Sequence, residues 1–399
     1  NPNGIIKVGG SPSLAFARLQ FTGYDQLCTS CTLFEAQLTN AVVAFDHIHF
    51  RDGQSQQMSL TLSQSSLSMT NITFENGNRT AGVGSALEVV ATDTPITISD
   101  LQVMNMNAFK ASVHITLSGE GNMTLDGGLF QNNVGQRLAA GIYLTADSTH
   151  VGSITLKHVE MDGQVMTTDV GGSVHVELVS DQSHLVLDSW QVHDGQTQHG
   201  GLYLGLQQAT LDIQHMLIHD NTATQYAAGL QVVGGSTVTL YNITVHSQTC
   251  IGEGCGIHYL NTLSDSQTTM QLIRMSGISS TIGGAVLKTQ VTNGTLTWTD
   301  VEVSSSQSTG GSCVFLYLTN TTASLNQVNV SYNAGNGNGN LQMAMFSSNV
   351  TFQQMYIGHN VQPVVYGAGM NLYINASHVQ LLDSLVELNQ GIDCAGGMF

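Results

Sequence analysis

One apolar frame recurs along the chain. It has the form Φ-x-Φ-x-x-Φ-x-Φ, where Φ is apolar and x is usually polar. Clear copies are Ile96-x-Ile98-x-x-Leu101-x-Val103, Leu185-x-Leu187-x-x-Trp190-x-Val192, Val238-x-Leu240-x-x-Ile243-x-Val245 and Val350-x-Phe352-x-x-Met355-x-Ile357. Its third apolar position falls at residues 19, 48, 72, 101, 128, 159, 190, 216, 243, 275, 301, 328, 355 and 384. The mean repeat is about 28 residues. Gly128, Gly277 and Ser384 interrupt three copies. Alternation with period two on either side of a two-residue interruption predicts two short strands meeting at a bend.

A polar loop then leads to small residues followed by another alternating run. Gly171-Gly-Ser-Val-His-Val-Glu-Leu178, Gly200-Gly-Leu-Tyr-Leu204 and Gly367-Ala-Gly-Met-Asn-Leu-Tyr-Ile374 are examples. Each repeat therefore predicts three short strands and three corners, with small residues where a Cβ would obstruct a tight turn. A leucine-rich repeat is the competing reading, because Leu325-x-x-Val328-x-Val330-x-x-Asn333 fits its core. Such repeats return through a helical or irregular segment, whereas here the return alternates and is poor in helix formers. The expected architecture is an all-β parallel β-helix of about fourteen turns, one per copy of the frame. It occupies residues 1–399 as a single domain.

The pieces Gly283-Gly-Ala-Val286 and Phe130-Gln-Asn-Asn133 are similar to the G-G-A-[ILV] and F-x-x-N repeats of chlamydial polymorphic outer-membrane proteins and related surface proteins. The pattern as a whole resembles the pectin-lyase-like parallel β-helix superfamily. That resemblance implies a right-handed coil. It also brings in polysaccharide lyases and hydrolases, which concentrate carboxylates beside an Arg or Lys in one groove.

Composition narrows the function. Charged residues are 9% of the chain, with 9 Lys and Arg against 27 Asp and Glu and a net charge of -18. Nucleic-acid binding needs clustered cations to neutralise phosphate, and the last basic residue is Lys288. An acidic polysaccharide would be repelled. No N-T-D, D-D or R-I-K set is present, so no catalytic residue is assigned and no cofactor is implied. No run approaches the roughly 18 apolar residues of a membrane span. The limits at Asn1 and at Cys394-Ala-Gly-Gly-Met-Phe399, which falls inside a repeat, are those expected of a segment of a longer precursor.

Nine N-x-[ST] sequons occur, at Asn71, Asn78, Asn122, Asn242, Asn293, Asn320, Asn329, Asn349 and Asn375. Asn293, Asn320, Asn349 and Asn375 fall once per repeat before the frame and are expected to align as a column of N-linked glycans. Six cysteines suit an oxidising compartment. Cys28 with Cys31 and Cys250 with Cys255 read as local disulfides. The two pairs lie about eight turns, roughly 40 Å, apart, which excludes a shared zinc site. Cys313 and Cys394 lie about three turns apart, too far to bridge each other.

His193, His219 and His246 occupy one frame position in three successive repeats, and Asp194 and Asp220 follow the first two. This ladder reads either as a stacked polar corner or as a divalent-metal or acid–base site. Asn333, Asn360 and Asn389 form a similar column. The leading reading is a secreted or cell-surface structural glycoprotein that associates with itself, end to end or laterally, or with other surface glycoproteins. A carbohydrate-binding adhesin is the alternative, and a β-helix lyase or hydrolase a more distant one.

Overall fold

The structure is a computed structural model that describes residues 4–11, 13–22, 32–53, 55–79, 84–167, 172–198, 200–225, 227–281, 285–336, 339–362 and 368–391. All regular structure among them is strand, and no helix is long and apolar enough to cross a membrane. The fold is a parallel β-solenoid with three strands per turn. The described residues form two units, Asn1–Gln198 with Leu202–Ala209, and His199–Gly201 with Thr210–Phe399.

In the first unit each apolar frame forms one long, bent strand. The series is Leu14–Thr22, Val42–Arg51, Ser66–Glu75, Ile96–Met104, Met123–Gln131, Gly152–Asp162 and Ser183–His193. The bend inside each frame is a residue in the left-handed region, for example Asp100 at φ 53°. It reverses the alternation, so that apolar residues on both sides of it point inward. Asp and Asn tolerate this conformation because a short polar side chain can bond locally. Other left-handed residues follow the frame, such as Asn105, and the return strand, such as Asp93. The three corners of a turn are thus built alike.

Return strands form the second sheet of this unit: Gly4–Gly10, Thr32–Thr39, Gln56–Ser63, Gly84–Thr92, Ala111–Ser118, Ala139–Ala146, Gly172–Leu178 and Leu202–Leu206. The third sheet is a series of two-residue strands, beginning with Asn78–Arg79 and Asn107–Ala108. No such strand follows the first two frames among the described residues, in which the short strand occurs 12 times. About 12 turns therefore carry all three strands.

The second unit repeats the plan. Its frame strands include Thr210–His219, Thr237–His246, Ser266–Ser276, Gly294–Ser304 and Thr322–Ser331. Its return strands run from Leu230–Gly234 to Met370–Asn375. The register corrects one copy of the frame. Ile273, not Met275, pairs with Ile243 and Val301, and Leu272 is the left-handed bend at φ 55°. Thr268 fills the first inward position of that copy, and its hydroxyl bonds Tyr259 Oη at 2.6 Å inside the core.

Like residues stack in the interior. Phe21, Phe50 and Phe74 form a column with ring centroids 4.8 and 5.0 Å apart. Trp190 and Trp298 are both buried in the core, as the frame predicts.

Candidate functional site

The outer face of the return sheet in the first unit carries a column that sequence reading missed. Glu88, His114, Tyr143, His175 and Tyr203 are register partners on successive strands. His114 and Tyr143 stack at 5.0 Å, Tyr143 and His175 meet edge to face at 5.2 Å, and His175 and Tyr203 are tilted at 4.6 Å. Glu177 joins from the same strand as His175, with a carboxylate oxygen 2.9 Å from Nε2. Contact with His114 holds the Glu88 carboxyl down at about 2 against the opposing effect of its burial, with further help from Gln56. Gln56 Nε2 donates to Glu88 at 2.7 Å and Ser59 Oγ donates at 3.2 Å. Burial and the nearby Glu177 charge push the Tyr143 phenol up to about 12.

The chemistry of this column follows from its geometry. The rings pack largely on one another, which covers their faces, and His114 Nδ1 and His175 Nδ1 are buried without a hydrogen-bond partner, so of the carboxylates and imidazoles here Glu177 is the most exposed. The column is a hydrogen-bonding strip rather than a stacking platform for sugars. Glu88 and Glu177 lie three strands apart, roughly 14 Å. Glycosidase carboxylate pairs stand about 5–9.5 Å apart.

The histidine ladder is placed as follows. In the second unit His219 and His246 stack at 5.1 Å with their planes 6° apart. His219 Nδ1 contacts Asp220 at 2.7 Å, and His246 Nδ1 contacts the Ser247 hydroxyl at 3.2 Å. His193 belongs to the first unit, where its Nδ1 lies 2.9 Å from Asp194 and 3.5 Å from Asp162, while Nε2 lies 3.4 Å from Glu160. Burial disfavours the charged ring of His193, yet Asp194, Glu160 and Asp162 together raise its pKa above the ordinary value. Asp162 and Glu160 went unnoticed in the sequence. The signal was there: Met161-Asp162 occupies the same frame position as Val192-His193.

The asparagine column faces inward. Asn333 Oδ1 accepts from the backbone N–H of Ser306 at 3.0 Å, and its Nδ2 donates to the Val303 carbonyl at 2.8 Å. Asn360 and Asn389 each donate in the same way to the preceding turn. Asn133 of the F-x-x-N piece bridges Met106 and Val103 identically. These are structural ties between turns.

Eight of the nine sequon asparagines are exposed, and Asn329 is half-buried. The expected single column of four does not form. Asn293 and Asn320 occupy the left-handed corner, where Asn320 Nδ2 donates to Asn293 Oδ1 at 3.0 Å. Asn349 sits two residues past that corner, paired with Thr322, and Asn375 ends a return strand, paired with Phe346. The sequons are 27, 29 and 26 residues apart, whereas the left-handed corner residues Asn293, Asn320, Ser347 and Ala376 are 27, 27 and 29 apart, so only the first two sequons coincide with the corner.

Cys250 and Cys255 form a disulfide with Cα atoms 5.6 Å apart. Cys313 is buried and free, and burial pushes its thiol up to about 12. Cys28, Cys31 and Cys394 lie outside the described residues.

No protein-family model matches the chain, and no curated protein matches it. Two solved structures of PfbA, a surface adhesin of Streptococcus pneumoniae, are similar to it. One is 10% identical, with a TM-score of 0.27 over 86% of this chain and 85% of that chain. The other is 9% identical, with a TM-score of 0.28 over 92% of this chain and 91% of that chain. Likeness at this level carries no inference about function.

Proposed function

We propose that this chain is a structural segment of a secreted or cell-surface glycoprotein, contributing a hydrated solenoid wall to a fibre or coat. The observation that carries this reading is the exposure of eight of nine sequon asparagines in a chain only 9% of whose residues are charged. Glycans there would hydrate a surface that has little charge of its own. The inward ties made by Asn333, Asn360 and Asn389 serve rigidity rather than chemistry. The test uses native, source-purified protein: enzymatic removal of N-glycans with mass tagging of the released asparagines, and electron microscopy of the same material. Tagged Asn71, Asn242, Asn293 and Asn320 in filaments or sheets support the reading. Untagged asparagines in dispersed single particles overturn it.

A second reading, a carbohydrate-binding adhesin, is favoured by the strip from Glu88 to Tyr203. Its half-exposed Glu177 carboxylate suits a hydroxyl-rich ligand. Glycan binding that is lost on Glu177→Gln would establish it, and no binding across neutral glycans would remove it.

A further inference from the structure

The strand ends Asp162 and His193 are direct register partners on adjacent turns of the first unit. Asp194 follows in the left-handed corner at φ 55°. One ligand atom from each of these three side chains lies within 4.8 Å of the others. His193 Nδ1 stands 2.9 Å from Asp194 Oδ2 and 3.5 Å from Asp162 Oδ1. Donor atoms bound at about 2.1 Å to one ion stand roughly 3.0–3.4 Å from one another. The two distances from His193 Nδ1 are therefore close to those of a shared coordination sphere, and the two carboxylates lie within 4.8 Å of each other.

Two further contacts orient the donors. Gln131 Nε2 donates to Asp162 Oδ2 at 2.9 Å, which leaves Oδ1 directed at His193. Glu160 Oε1 lies 3.4 Å from His193 Nε2. With a metal on Nδ1 the remaining ring proton sits on Nε2 and faces that carboxylate, the arrangement usual behind a metal-bound imidazole, and the proton that Nδ1 shares with Asp194 is released. Charge points the same way. Three carboxylates, Glu160, Asp162 and Asp194, surround one imidazole, which supplies at most one positive charge. Among the described residues no lysine or arginine forms an ion pair with any of the three; Lys157 on the same strand pairs with Asp126.

We propose that Asp162, His193 and Asp194 bind one divalent transition-metal ion of the zinc, cobalt or nickel kind, with water completing the shell. An imidazole among the ligands selects these ions over magnesium or calcium. The ion joins two successive turns and neutralises the carboxylate excess. This inference does not depend on the wall being a structural glycoprotein.

The test uses the full chain after chelation. Zinc is titrated in competition with a fluorescent chelator, and cobalt is followed by its visible absorption. One tight zinc is expected per chain, together with a cobalt spectrum and a higher melting temperature in zinc. Asp194→Asn leaves an exposed residue suited to the same corner, so the fold is retained while affinity falls at least tenfold. Glu160→Gln weakens binding about tenfold and keeps the cobalt spectrum. Asp220→Asn, on the equivalent corner of the second unit, changes neither. The proposal is overturned if the wild type binds no zinc at millimolar concentration, or if Asp162→Asn and Asp194→Asn bind zinc as tightly as the wild type.

Discussion

The backbone N–H of Asn333 donates to the side-chain oxygen of Asn360, one turn further on, at 3.0 Å. Asn360 Nδ2 reaches back to the Val330 carbonyl of the same preceding turn at 2.8 Å. One buried amide thus satisfies a donor and an acceptor that a corner would otherwise leave unpaired.

Asn360→Ala is expected to strand both partners in the interior and to destabilise the second unit by about 2–4 kcal/mol. Chemical denaturation of the wild type and the variant measures this. A loss below about 0.5 kcal/mol, the range of ordinary surface substitutions, would show that water replaces the amide.

The two tryptophans should respond differently to the same change. Trp190 Nε1 donates to the Leu156 carbonyl at 2.8 Å, whereas Trp298 Nε1 is buried without a hydrogen-bond partner. Both lose packing on substitution by Phe, but only Trp190→Phe also removes a hydrogen bond to a buried carbonyl. Trp190→Phe is therefore expected to cost about 1–2 kcal/mol more than Trp298→Phe. Equal losses would remove the hydrogen bond from the explanation.

Leu272 holds a left-handed conformation at φ 55° in a position that Asn242 and Asp300 fill in the adjacent turns. For a residue such as Leu that conformation costs roughly 1–2 kcal/mol. Leu272→Asn is expected to raise the melting temperature, since Asn accepts the conformation and the position is only half-buried. A lower melting temperature would mean that packing of the Leu272 side chain outweighs backbone strain.

His258 sets a pH dependence whose sign is fixed. Burial, then the charge of Lys288 on the paired strand, lowers its pKa from 6.5 to about 4, with Glu253 opposing. Lys288 itself pairs with Glu253. As pH falls from 6.5 toward 4, the unfolded chain takes up a proton that the folded chain refuses, so stability declines in that window. Glu88 acts lower down. Its carboxylate stabilises the folded state above pH 4.5, and that contribution is lost between 4.5 and about 2. His258→Gln should flatten the melting-temperature profile between pH 6.5 and 4 and leave the steeper acid limb in place. An unchanged profile would assign that slope to other groups.

Much of the fold was legible because inward positions repeat by column. Leu101, Trp190, Ile243 and Met355 were all placed correctly by the frame. The slip at Met275 has a local cause: Thr268 stands in an apolar slot and Leu272 at a polar bend, so the pattern shifts by two residues. The two-residue corner strands carry no periodicity and could not be read. Asn is common in the chain partly because left-handed corners accept it, and Asn71, Asn242, Asn293 and Asn320 are such corners. Their sequons therefore have a conformational origin as well as any glycan. His193 and Asp194 were visible as neighbours in sequence. Asp162 was overlooked although it holds the same frame position one repeat earlier, because histidines alone marked the ladder. The ring column from His114 to Tyr203 was hidden because its members differ in kind, and only register shows them to be equivalent.

The corner amide ties and the inward columns meet only neighbouring turns, while turn length varies freely at the loops. Asp52 and Asn76 are bonded across 24 residues and Gln131 and Asp162 across 31. A gene that loses or duplicates one whole repeat therefore leaves matched surfaces on both sides of the join. Lineages carrying this architecture are free to change their reach in steps of one turn, and the number of turns is a heritable length setting rather than a fixed property of the fold.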